Sequence, residues 1–207
     1  RITIDDIVDF IKEEAEKDYQ MAAGISQDVE ADDGIIKQTR ARLPWLLIGM
    51  LGGLGAASII ASFQTILESY PKLLIFVPLI QATAGNVGVQ SSAIVVQGLA
   101  NDTLKGNIIS RLLRESGLAL VNGLAIALVV LVISHFLFFT TYLESISIGI
   151  ALISVILLAA LIGTFIPIIL DRRGIDPAVA TGPFITTSND VFGILTYFLI
   201  AKLILGF

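Results

Sequence analysis

Five stretches of twenty or more mostly apolar residues dominate this chain, at approximately 45–67, 73–100, 114–139, 146–170 and 183–205. A hydrocarbon core about 30 Å thick is crossed by about 20 helical residues, so each stretch is long enough to span a bilayer. Residues 45–67, 117–139 and 146–170 contain no Asp, Glu, Lys or Arg, and hydropathy alone marks them as transmembrane helices. The expected fold class is an all-α membrane protein, with five transmembrane helices and an N-terminal cytosolic amphipathic helix. Composition agrees: 55% of residues are hydrophobic and 15% charged, with a mean hydropathy of +0.87, too apolar for an ordinary soluble domain.

Charge divides the chain in two. Residues 1–42 hold six Lys/Arg against eleven Asp/Glu, whereas residues 43–207 hold seven of each. We therefore expect a cytosolic acidic helix and juxtamembrane connector at 1–42, then a five-helix transmembrane domain at 43–207. Lys37, Arg40 and Arg42 precede the first span, Lys105, Arg111 and Arg114 separate the second and third, and Arg172 and Arg173 follow the fourth. All eight fall on one side of a five-span topology, against Lys72 and Lys202 on the other. The positive-inside rule then places the N-terminus in the cytoplasm and the C-terminus outside the cell membrane. Trp45, Tyr70 and Tyr142 sit where interfacial aromatic anchors belong, and His135 is read as interfacial too. Gly49, Gly53, Ala57 and Ala61 form a small-residue ridge suited to helix packing.

The chain has no cysteine, which excludes disulfides, thiolate metal sites and cysteine nucleophiles. It begins at Arg1 without an initiator Met or a cleavable signal, and the expectation is that something precedes it. From Thr3 to Gly24, Ile4, Ile7, Ile11 and Ala15 recur on one helical face, with Thr3 placed to cap and Gly24 to terminate. The opposite face carries Asp5, Asp6, Asp9, Glu13, Glu14, Glu16 and Asp18. Such carboxylates can gather divalent cations, although a solvated helix face is the commoner explanation.

Chemistry concentrates in the second and fifth spans. Gln81 to Ser92 reads Gln-Ala-Thr-Ala-Gly-Asn-Val-Gly-Val-Gln-Ser-Ser at bilayer depth, after Pro78. Pro78 is expected to break a helical hydrogen bond, and Gly85 and Gly88 to permit close approach or unwound turns. Polar, irregular backbone at this depth must face a watery cavity or a partner helix, so Asn86 and Gln90 are candidate pathway residues; the alternative is that Asn86, Gln90 and Gln97 only hydrogen-bond between helices. In the fifth span Asp190 lies about 10 Å along a helix beginning near Pro183. A carboxylate inside a span costs about 3 kcal/mol on insertion scales and marks ion or proton pathways. Asp190 is taken as the one carboxylate well inside a span, and no neighbouring span supplies it a cation. Thr186 and Thr187 before it and Gly193 after it complete a small polar stripe.

One carboxylate among oxygen donors, without thiols or clustered imidazoles, favours a hard cation. Mg²⁺, held through its own waters, suits a wide site with few direct ligands. A two-fold homodimer would double the carboxylate about a shared pore, so a homodimer in a lipid bilayer is expected. A proton- or Na⁺-coupled secondary transporter of divalent cations is the alternative. An aspartyl protease needs two carboxylates sharing a proton, no phosphate-binding loop is present, and an acidic membrane protein is no partner for nucleic acid. The chain is not expected to be an enzyme.

Pro78 through Gln90, with its Gly85-Asn86-Val87-Gly88-Val89-Gln90 run, and Asp176-Pro177-Ala178 leading through Gly182-Pro183-Phe184 to Asp190, resemble the MgtE magnesium channels in order and spacing. The resemblance covers the five spans, and Arg1 to Gly24 resembles the end of the family's cytosolic regulatory region, two cystathionine-β-synthase-type domains that would be partners of the membrane part. It implies a homodimeric Mg²⁺ channel lined mainly by the second and fifth spans, with Asp190 as selectivity ligand and oxygens at Thr186 and Gly182 helping to hold a hydrated ion. Many relatives carry Asn where this chain has Gly182 and a polar residue where it has Val89. The family also implies that Mg²⁺ bound to the cytosolic region holds the pore shut, so Mg²⁺ is expected as transported ion and as regulator, with Glu13, Glu14 and Asp18 as fragments of the sensor.

Overall fold

The structure, a computed structural model, describes residues 2–26, 28–104, 107–180 and 182–206. Arg1 and Lys105, used above for the regulatory resemblance and the charge asymmetry, lie outside these. The regular elements among the described residues are helices: α1 (Ile4–Ala22), α2 (Ile35–Ser62), α3 (Gln64–Ser69), α4 (Val77–Ala100), α5 (Ile108–Leu137), α6 (Tyr142–Arg172) and α7 (Pro183–Leu205), with 3₁₀ turns at Pro71–Phe76 and Pro177–Ala180. Five of these segments are long and apolar enough to cross a membrane: α2, the Pro71–Ala100 segment ending in α4, α5, α6 and α7. The chain is thus a multi-pass helical membrane protein.

Helix α6 is the centre of the bundle. Its small residues Gly149, Ala151, Ala159, Ala160 and Gly163 are buried, and α4, α5 and α7 pack around it while α2 packs against α7. Without a hydrophobic driving force between helices in lipid, close backbone approach supplies the attraction. Gly163 shows this most clearly: a Cβ there would overlap the Gly88 carbonyl oxygen of α4. Thr141 and Glu144 form a reciprocal capping box that starts α6. His135 meets the Thr140 carbonyl through Nδ1 at 3.0 Å and stacks on Tyr142 at 4.2 Å.

Three expectations change in three dimensions. The connector is not separate from the first span, because α2 begins at Ile35 and carries Pro44 inside it; the boundary at 42 falls within one helix. Pro78 interrupts nothing, since it occupies the first turn of α4, where its missing N–H has no helical acceptor to lose. The ridge on α2 is also displaced: Gly52 and Gly55 face Thr187 and Val191 of α7, whereas Gly53 meets nothing and Ala57 is exposed.

Two polar contacts tie the helices across the bundle. Tyr197, fully buried, donates its hydroxyl to the Leu73 carbonyl at 2.8 Å, joining α7 to the 3₁₀ turn before α4. Tyr197→Phe should cost about 1–2 kcal/mol by orphaning that carbonyl, read as a lower melting temperature in detergent; an unchanged melt would show that the bond contributes nothing. Glu115 of α5, 9% exposed, accepts from Ser91 of α4 at 2.6 Å. Asp190 is therefore not the one carboxylate set well inside a span helix, for Glu115 stands about 10 Å along α5.

Candidate functional site

The site grows from two faces of α7. Ile185, Asn189, Gly193, Tyr197 and Ala201 recur every fourth residue and are buried. On the neighbouring face Gly182, Thr186 and Asp190, also four apart, are half-buried. Residues at i and i+4 stack on one side of a helix, so packing the first stripe into the bundle turns the second outward along α4. Asn189 locks this orientation. It is 1% exposed, donates from Nδ2 to the Ala84 carbonyl at 3.2 Å, and sits where a Cβ on Gly88 would be.

Between α4 and α7 lies an open groove of about 550 Å³, lined by Gln81, Ala82, Gly85, Asn86, Val89, Gln90, Thr186 and Asp190. Asn86 and Gln90 are exposed, a polar wall midway along α4. On its other side Asp190 lines a second cavity of about 660 Å³, which runs past Thr186, Thr187 and Gly49 to Pro183, Trp45, Arg42 and the tail residues Ala23, Gly24 and Ile25. Asp190 and Thr186 are common to both spaces. The Thr186 hydroxyl donates to the Pro183 carbonyl at 3.1 Å, leaving its oxygen lone pairs outward. Ion pairs among the described residues lie between positions 12 and 37, and none of them involves Asp190.

The structure therefore brings Asp190, Thr186, Asn86, Gln90 and Gly85 to one groove, with Thr187 in the adjoining cavity. Gly88 and Gly193 do not line either: Gly88 is covered by Asn189 and Ile185, and a Cβ on Gly193 would touch Ala84 and Val155. They serve helix packing. Gly88 stays within a continuous α4, so no unwound turn offers its carbonyl. Gly182 is the N-cap of α7, and its carbonyl accepts the N–H groups of Ile185 at 3.1 Å and Thr186 at 3.2 Å, which occupies it within the helix. Asn189 and Arg42 were missed as site residues from the sequence, and Gln81 was noted there only as the start of the polar tract. Asn189 was detectable as the one amide side chain in that mostly apolar i, i+4 stripe.

The tail reaches the mouth of the second cavity. Helix α1 buries no side chain along its length, and Ile4, Ile7 and Ile11 are exposed. Its end, however, packs on the start of α7. Gly24, at φ +78°, is pressed against Pro183, and a Cβ on Gly182 would overlap the Ala22 carbonyl. Glu13, Glu14 and Asp18 do not form a three-ligand cluster, and among the described residues no group of three or more acidic or imidazole side chains converges. Glu14 instead pairs with Lys17 at 3.7 Å.

Burial, then the carboxylates of Asp176 and Glu14, push Asp18 above its usual 3.8, against a smaller pull from Lys17. A group with a raised pKa in the docked tail favours docking below its free value and loses that contribution as pH rises through the raised value. At neutral pH Asp18 thus opposes docking. Asp18→Asn should slow proteolytic cleavage of the tail at pH 7.5 in Mg²⁺-free buffer, with the difference closing toward pH 4. Equal cleavage rates at pH 7.5 would remove this electrostatic account.

A family model described as MgtE, divalent cation transporter, matches residues 77–200, which include all of α4, α5 and α6 and most of α7. The chain is 37% identical over 211 residues to a protein of Enterococcus faecalis described as magnesium transporter MgtE, covering 100% of this chain and 45% of that protein. It is 35% identical over 201 residues to one of the same description from Bacillus subtilis, covering 97% and 44%, and 31% identical over 207 residues to one from Thermus thermophilus, covering 99% and 46%. The chain spans a little under half the length of these relatives.

Proposed function

From the chain's membership of the MgtE family of divalent cation transporters, we propose that it conducts Mg²⁺ passively through a homodimeric pore lined by α4 and α7, with Asp190 as the selecting carboxylate. The observation that carries this is the groove itself: a polar wall at bilayer depth holding one carboxylate, Asp190, among amide and hydroxyl oxygens. Lipid cannot solvate such a wall, and a second copy about a two-fold axis would close it into a water-filled path with two carboxylates. Six waters occupy about 180 Å³ at about 30 Å³ each, so a half-site of about 550 Å³ has room for an ion that keeps its first hydration shell. That suits Mg²⁺, which dehydrates reluctantly.

Helices α4 and α7 run without interruption through the groove. Coupled transporters with midplane sites typically build them from broken helices, so the continuity favours a pore over alternating access. By the charge asymmetry described above, the tail lies on the cytoplasmic side. The test is Mg²⁺ entry into dye-loaded liposomes, with proton and Na⁺ gradients collapsed by ionophores. Flux should persist; flux that stops when those gradients vanish would favour the coupled transporter instead.

A further inference from the structure

We infer that Arg42 is a fixed positive charge at the tail-side mouth of the Asp190 cavity and limits the rate at which divalent cations pass. This deepens the proposed function and rests on that cavity being part of the ion path. Arg42 and Asp190 line the same space of about 660 Å³, one cationic and one anionic, with Trp45, Gly49 and Thr187 between them along α2 and α7. A Cβ on Gly49 would lie 4.0 Å from the Thr187 hydroxyl, and seven residues of helix, a rise of about 10 Å, separate Gly49 from Arg42. Among the described residues no ion pair involves Arg42 or Asp190.

Arg42 is exposed, and its side chain is tied back to the connector. Its Nη2 donates to Gln38 Oε1 at 3.0 Å. Gln38 in turn donates from Nε2 to the carbonyls of Ala31 at 3.1 Å and Asp33 at 2.9 Å, which anchors the guanidinium to the connector. The preceding residue is stapled as well, for both the N–H and the hydroxyl of Ser26 donate to the Ala41 carbonyl, at 3.0 and 2.9 Å. Gln20 closes the loop by exchanging two hydrogen bonds with Val29. The tail, the connector and the start of α2 thus hold one cation over the opening.

A single positive charge about 10 Å from a divalent ion in water slows its passage about fourfold at low ionic strength, falling to about 1.5-fold at 0.15 M salt as the charges are screened. Neutralising an arginine that only anchors the helix to headgroups, an attraction salt also screens, would not speed Mg²⁺ flux at low salt. Initial Mg²⁺ flux should be measured in liposomes for the unaltered chain, Arg42→Gln and Arg42→Lys, with ionic strength set by an impermeant salt. Arg42→Gln should be faster at low salt and converge on the unaltered chain at high salt, while Arg42→Lys stays close to the unaltered chain. Because the chain has no cysteine, Arg42→Cys can be labelled at that one thiol, and an anionic methanethiosulfonate adduct should conduct faster than a cationic one. Arg42→Gln matching the unaltered chain at every ionic strength, or adducts of both signs conducting alike, would overturn the inference. Asp190→Asn in the same series separates the failures. If it conducts normally, the cavity is not the ion path; if it is silent while the Arg42 variants are indifferent to charge, only the role of Arg42 falls.

Discussion

Asp190→Asn should reduce Mg²⁺ flux in liposomes by more than about 100-fold while leaving the protein folded. The substitution keeps the shape of the side chain and removes its charge. At about 5 Å, with an outer-sphere ion and an effective dielectric near 20, a carboxylate attracts a divalent cation by about 6–7 kcal/mol before desolvation. If desolvation cancels about half of that, the remaining 3 kcal/mol is still about a factor of 150. Asp190 has no competing role in folding that the contacts reveal: it lines both cavities, whereas its neighbour Asn189 makes the packing contact with α4. Undiminished, Mg²⁺-selective flux in a folded Asp190→Asn protein would mean that the carboxylate is structural. The path would then have to be sought along Asn86 to Gln97.

Gly163→Ala should destabilise the bundle by about 2–3 kcal/mol, the range of overpacking a close-packed interior. The added methyl would meet the Gly88 backbone, with its carbonyl oxygen the nearest atom. Backbone of a continuous helix cannot rotate away as a flexible side chain can, so α4 and α6 must separate. The expected readout is a melting temperature several degrees lower and a broader elution profile in detergent. Gly117→Ala is the control, since nothing lies within 4 Å of a Cβ there and alanine favours helix over glycine by about 1 kcal/mol. Gly163→Ala melting with the control would show that the contact is slack. Because Gly88 stands one turn from Gly85 and between Asn86 and Gln90, any shift of α4 also moves the polar wall, and flux should fall with stability.

The tail makes a smaller but related statement. Its acidic face was visible in the sequence, yet the structure scatters those carboxylates along an exposed helix and uses only the last turn for contact. What reaches the cavity is not Glu13 or Glu14 but the Ala23–Ile25 segment at the end of α1. Glycine at positions 24 and 182 is what lets the two chain segments touch there.

Five helices long and apolar enough to cross a bilayer, an all-helical class and a carboxylate, Asp190, within the fifth were legible in the sequence alone, because hydropathy over about 20 residues and the cost of a charge in lipid are local quantities. The polar tract from Gln81 to Ser92 was equally legible, as was the membership of Thr186 and Asp190 in one helical stripe. Which side of each helix meets which neighbour was left to tertiary structure. Periodicity groups residues onto a face without saying what that face touches, so Gly88 and Gly193 went into the packing while Asn86 and Gln90 turned to the groove. The same limit hid Asn189 in an apolar stripe and Gly163 in a featureless span. It also hid Arg42, well over a hundred residues from Asp190 in sequence and placed at its cavity only when α2 packed against α7.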